Sequence, residues 1–166
     1  DYLGAIWTQG SPRIEETIYW FNLLIDTTLP ICGNAAQRPQ GQISNDGPKN
    51  IVDSVDYICS RVWADDNGRN RAGLVLVQDQ RVFAARDVMK ADARPGGYVA
   101  TGGHGGILGA AGIYGPPVLN YLPATRHTYQ SEVNITRLPD QVSGVRRTAD
   151  GLAAVPVAVK TAEGDL

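Results

Sequence analysis

Cysteine, methionine, histidine and phenylalanine are scarce in this 166-residue chain, with 2, 1, 2 and 2 copies. Two cysteines cannot build a disulfide framework. Cys32 and Cys59 stand in apolar contexts and read as buried thiols, which fits a reducing, cytoplasmic setting. Neither sign of charge dominates: 15 Lys and Arg stand against 17 Asp and Glu, for a net charge of -2 and a pI near 5.6. The cations are scattered, so a nucleic-acid footprint is excluded. Their densest cluster, Arg69-Asn70-Arg71, lies beside Asp65 and Asp66 and reads as a solvated loop. No apolar run approaches the roughly eighteen residues of a membrane span, and no charged-then-apolar leader opens the sequence.

What is present is an ordinary globular composition, 43% hydrophobic, of a size suited to one domain. The most informative stretch runs from Leu3 to Phe21. An apolar, strand-like segment passes through Gly10 into Ser11-Pro12-Arg13-Ile14-Glu15-Glu16, a set that starts helices: Ser11 as N-cap, Pro12 at the first helical position, acids in the first turns. In open α/β sheets ligands gather beyond the carboxyl ends of strands, so Ser11 is placed for chemistry as well as for capping. The two roles do not exclude each other. The chain opens on Asp1 and closes just after the strand-like Ala153-Val159 run, which leads us to expect a piece of a longer protein.

Further along, Ile14, Ile18, Phe21, Leu24 and Ile25 recur at helical spacing, and Leu29 to Gly33 reads as a short buried strand. A long loop from Asn34 to Lys49 is rich in Pro, Gly, Asn and Gln. A second helix is expected from about Pro48, with Ile51, Val52, Val55, Ile58, Cys59 and Val62 as its buried face. Asp65-Asp66-Asn67-Gly68 marks a turn. Leu74-Val75-Leu76-Val77 has the continuous apolar character of a strand covered on both faces. Arg81-Val82-Phe83 follows a turn at Asp79-Gln80 as a short antiparallel arm. Alternating strands and helices predict parallel pairing and an α/β layer.

From Gly96 to Pro117 glycine pairs recur, and the segment reads as mobile or tightly bent. It carries neither a Gly-Lys-Ser/Thr phosphate loop nor a dinucleotide-binding Gly-x-Gly-x-x-Gly between strand and helix. His104-Gly105-Gly106 has the form of an esterase oxyanion loop, but no Gly-x-Ser-x-Gly elbow exists to use it. No cofactor and no metal is expected. Arg126-His127-Thr128 and Leu138-Pro139 fall in a polar stretch that looks like an interdomain connection. Asn134-Ile135-Thr136 fits the glycosylation acceptor pattern by chance.

Several motifs, in order, resemble the bacterial-type asparaginase/glutaminase family. Thr8-Gln9-Gly10-Ser11-Pro12-Arg13-Ile14-Glu15-Glu16-Thr17 is similar to its Thr-His-Gly-Thr-Asp-Thr strand end followed by Glu-Glu-Thr. Gly33 through Arg38-Pro39, then Ser44-Asn45-Asp46-Gly47-Pro48-Lys49-Asn50, resembles its Gly-Ala-Met-Arg-Pro loop and Ser-x-Asp-Gly-Pro-x-Asn. Gln78-Asp79, Ala85-Arg86 and Lys90 resemble its Asn-Asp turn, Ala-Arg pair and lysine, with one extra residue between Asp79 and Arg86.

The resemblance implies a three-layer, Rossmann-like, mostly parallel sheet with helices on both faces, within a two-domain protein that assembles as a tetramer. Residues 1–125 would belong to the first domain, 126–150 to a linker and 151–166 to the first strand of a smaller domain. It also implies a hydrolase of small amides. Ser11 takes the place of a threonine nucleophile and Lys90 that of the lysine that serves it, with Gln9, Gly10, Pro12, Arg13, Asn34 and Ala35 as substrate contacts. Pro12 stands where the family has the aspartate that pairs with a substrate's α-ammonium group, and Gln9 replaces its histidine. The expected substrate is therefore an amide, lactam or imide without an amino group. The family's Thr-Gly-Gly-Thr strand, with its first nucleophile and lid, has no counterpart here, so a second chain or segment is expected to supply it. The alternative is a non-catalytic binding or structural subunit on the same fold.

Overall fold

Residues Leu74 to Val77 are completely enclosed, and the strand they enter is the centre of the molecule. A computed structural model describes residues 1–101, 106–112, 115–124 and 139–158. In chain order the elements are β1 (Ala5–Thr8), α1 (Ile14–Leu24), β2 (Ile31–Asn34), α2 (Gly47–Ser60), β3 (Val75–Gln78), β4 (Arg81–Ala84), β5 (Val88–Lys90), β6 (Tyr98–Ala100), β7 (Ile107–Ala110), β8 (Val118–Leu119), β9 (Gln141–Thr148) and β10 (Gly151–Ala158).

The main sheet has the order β1-β2-β3-β4-β7-β8. It is parallel from β1 through β3, where a helix crosses between successive strands, and antiparallel beyond. The switch of direction is made by Asp79 and Gln80, both at positive φ (51° and 62°), which is the turn whose twist matches a two-residue hairpin.

Alternation along β3 divides the core. Val75 and Val77 face α2, packing with Cys32, Tyr57, Ile58, Val82 and Leu108. Leu74 and Leu76 face the other way, toward Ile14 and Ile18 of α1 and Phe83 of β4. The result is three layers, helix, sheet, helix, as expected. Gly33 lets α1 ride close on β2: a Cβ there would lie 3.2 Å from Ile18. The β5–β6 hairpin covers the α1 face, with Val88 and Tyr98 packed on Ile14, Leu76 and Phe83.

The structure corrects several sequence expectations. Helix α1 begins at Ile14, with Arg13 in the capping position at φ 68° and no side-chain cap, so Ser11 is not the N-cap and Pro12 is not inside the helix. Helix α2 turns its polar stripe inward: Asn50, Asp53 and Ser54 are buried beside Tyr57 and Ile58, while Ile51, Val52, Val55 and Cys59 are exposed. The polar stripe wins because the sheet's end offers it partners. Asn50 Nδ2 donates to Ala35 O, and its Oδ1 accepts from Asp79 N. Within the glycine-rich segment, β6 and β7 are strands, and Gly109 lets β7 approach β8 where a Cβ would strike Val118. Asn70, read as part of a solvated loop, is fully buried and bonds to Leu29 O, Gly73 O and Ala72 N. Gln141–Thr148 forms β9 and pairs antiparallel with β10. His104, Arg126, His127, Thr128, Asn134 and Leu138 lie outside the described residues.

Candidate active site

Ser11 lies in the turn that leaves β1, and two side chains of one hairpin converge on it. Lys90 Nζ donates to Ser11 Oγ at 2.7 Å. Tyr98 OH donates to Ser11 O at 2.7 Å. Lys90 and Tyr98 are directly paired across β5 and β6, so both project to the same face. Between Asp79 and Arg86 a register shift at Val82/Phe83 interrupts the β4–β7 ladder. A hydroxyl and an amine at this distance share one hydrogen bond, the path along which a proton can pass between them.

The carboxyl ends of β1 and β2 open a cleft of about 180 Å³ lined by Thr8, Gln9, Asn34, Ala35, Ala36, Gly47 and Ile51. Ser11 follows two residues after Gln9 and is not itself among the lining residues. Gln9 N donates to Asn34 O, which ties the two strand ends together, and Trp7 Nε1 donates to Gln9 Oε1, which anchors that side chain.

Of the sequence-predicted contacts, Gln9 and Ala35 line this cleft, and Gly10 and Pro12 flank Ser11. Two differ in role. The Asn34 side chain turns into the core, where Nδ2 donates to Asn50 O, Ser54 Oγ and Val77 O, so it braces the cleft from behind. The Arg13 guanidinium pairs with Glu16 at the surface and is not among the residues that line this cleft.

Behind the cleft, Asp46 closes the loop between β2 and α2. Its carboxylate accepts from the Gln37 and Arg38 amides, from Asn50 Nδ2 and, at 2.6 Å, from Gln78 Nε2. Burial pushes this carboxyl up, but the donors from Arg38, Gln37 and Asn50 outweigh it and hold the group below its ordinary value. Asp53, one turn into α2, goes the other way. Its burial raises it more than the adjacent Lys49 lowers it. Tyr98 was not legible as a site residue, although Pro95-Gly96-Gly97 between Val88-Met89-Lys90 and Tyr98-Val99-Ala100 is a hairpin signature. Among the described residues no group of His, Cys, Asp or Glu is placed to hold a metal, and no helix is long and apolar enough to cross a membrane.

The fold and site are those of an α/β protein with a hydroxyl–amine pair beyond the end of a parallel strand. The chain belongs to the asparaginase family, whose N-terminal model matches residues 1–104. It is 30% identical to a glutaminase-asparaginase of Acinetobacter glutaminasificans over 145 residues, which is 86% of this chain and 41% of that relative. It is 37% identical to an L-asparaginase of Bacillus licheniformis over 92 residues, 55% of this chain and 27% of the relative. A solved structure of a probable cytoplasmic L-asparaginase from Campylobacter jejuni superposes with a TM-score of 0.67 at 25% identity, covering 83% of this chain and 41% of that one. The chain thus spans between about a quarter and two-fifths of the length of these relatives.

Proposed function

We propose that this chain is part of an amidohydrolase in which Ser11 attacks the carbonyl of a small amide, lactam or imide. The observation that carries the reading is the 2.7 Å contact between Lys90 Nζ and Ser11 Oγ. The Lys90 amine takes the serine proton while Oγ bonds to the carbonyl carbon. The C–N bond then breaks, the proton passes to the departing nitrogen, and water hydrolyses the Ser11 ester to the acid.

Substrate class follows from charge. No cleft-lining side chain is ionised, Pro12 supplies no carboxylate, and Arg13 is paired with Glu16. An α-ammonium group buried here without a counter-charge would cost several kcal/mol. Asparagine and glutamine are disfavoured on that ground, and neutral or carboxylate-bearing amides, lactams and imides are favoured.

The assembly is part of the same proposal. Strand β1 ends the sheet with one edge paired to β2, and its Trp7 stands exposed against Phe21 at 4.9 Å. A strand from another segment or a second chain completes that edge. The exposed Ile51, Val52 and Val55 on α2 support association into a tetramer-like oligomer.

The reading is tested by ammonia release and ring-opening assays on neutral and acidic amides, lactams and imides, using native material whose subunits are counted by intact mass. Hydrolysis that Ser11→Ala abolishes supports it. Hydrolysis that Ser11→Ala leaves unchanged contradicts it. The replacements at Pro12 and Gln9 favour the second reading, a non-catalytic subunit, which predicts no hydrolysis of any amide by the complete assembly.

A further inference from the structure

Ser11 is held at two points, and only one of them is its hydroxyl. It sits in the turn between β1 and α1, outside both hydrogen-bond ladders, and the residue two positions on, Arg13, adopts a left-handed conformation uncommon for a side chain with a Cβ. The Tyr98 hydroxyl meets the Ser11 carbonyl at 2.7 Å, and the Tyr98 ring is 2% exposed, wedged among Ile14, Leu76, Phe83 and Val88.

The hairpin that carries Tyr98 is itself braced. Ala91 N and Asp92 N donate to Gly97 O, and Gln37 Nε2 reaches across to Asp92 O and Arg94 O. Burial, then the negative charges of Glu15 and Asp46, push the phenol's ionisation upward, so it stays a neutral donor throughout the working pH range.

We propose that Tyr98 is a positioning residue for Ser11: its hydroxyl fixes the Ser11 carbonyl and so holds Oγ against Lys90, its cross-strand partner. This rests on the reading of Ser11 as the nucleophile. One short hairpin then sets both the base and the backbone of the group it deprotonates, which keeps their mutual geometry independent of movements in the β1 turn.

The test is Tyr98→Phe, which keeps the ring and removes the bond. Two quantities are read on the purified protein: the ¹³C resonance of the Ser11 carbonyl, and the rate at which an alkyl fluorophosphonate modifies Ser11, followed by intact mass. The carbonyl resonance is expected to move upfield and the rate to fall roughly tenfold, the scale of one neutral hydrogen bond. The amide resonances of Leu76 and Val77 are expected to stay in place. 3-Fluorotyrosine placed at position 98, which retains the hydroxyl, is expected to restore both. A carbonyl resonance that does not move, or one that moves with no change in rate, overturns the proposal. A Ser11 that resists the reagent in the unsubstituted protein overturns the nucleophile reading, and the positioning role with it; the carbonyl shift distinguishes that outcome from a missing Tyr98 contact.

Discussion

Lys90 and Ser11 meet at 2.7 Å although 79 positions separate them. The approach comes from the β5–β6 hairpin folding onto the α1 face of the sheet, where Val88 and Tyr98 join the core of Ile14, Leu76 and Phe83. The pair therefore depends on packing well away from the cleft, and on the polar network behind it.

Asn34 is the keystone of that network, with three acceptors sharing the two protons of one buried amide nitrogen. Asn34→Ala removes all three and is expected to destabilise the protein by about 2–3 kcal/mol in urea unfolding. Asn34→Asp is expected to cost more, because it aims a carboxylate oxygen at the Asn50 and Val77 carbonyls. Equal stability of Asn34→Ala and the unsubstituted protein would show that the amide is dispensable.

Asp46 has a folded-state pKa below its ordinary 3.8. Its stabilisation is therefore complete above that value and is lost as pH falls through the lower folded one. Asp46→Asn is expected to lower the melting temperature at pH 7 and to flatten the acid limb of the stability curve below about pH 4. An acid limb identical in both proteins would contradict this.

Asp53 carries the opposite sign. Its folded pKa is raised above 3.8 by burial, so its ionised form opposes folding at neutral pH, and the protein regains that stability as pH falls through the raised value. Asp53→Asn is expected to raise the melting temperature at pH 7, with the gain disappearing on acidification. A lower melting temperature would mean that the ion pair with Lys49 outweighs burial.

The two thiols differ in access. Cys32 is fully buried, which pushes it up to about 12, whereas Cys59 is exposed. Titration of the native protein with an aromatic disulfide at pH 8 is expected to report one fast thiol, lost in Cys59→Ser, and two in denaturant. Two fast thiols in the native protein would place Cys32 at an opening of the core.

Much of this architecture was legible. The run Leu74–Val77 could only be a strand covered on both sides, and the β3–β4 turn at Asp79-Gln80 fell where expected. Helix α2 was legible as a helix but not in its orientation. It carries both an apolar and a polar stripe, and periodicity alone favours burying the first. The choice is made by partners distant in sequence: Asn34, Ala35 and Asp79 accept or supply the bonds of Asn50 and Ser54. The family resemblance singled out Ser11 and Lys90, and the fold brings their side chains together. Tyr98 was hidden because its partner is a backbone carbonyl, which leaves no mark in residue type.

The most direct measurement is the rate at which an alkyl fluorophosphonate modifies Ser11, followed by peptide mass mapping in the unsubstituted protein and in Lys90→Met. A single adduct on Ser11 is expected, slowed at least about 100-fold by Lys90→Met, as removal of a general base implies, with the melting temperature little changed. An adduct elsewhere, or modification of Ser11 at the same rate without the lysine amine, would contradict the claim that Lys90 activates Ser11.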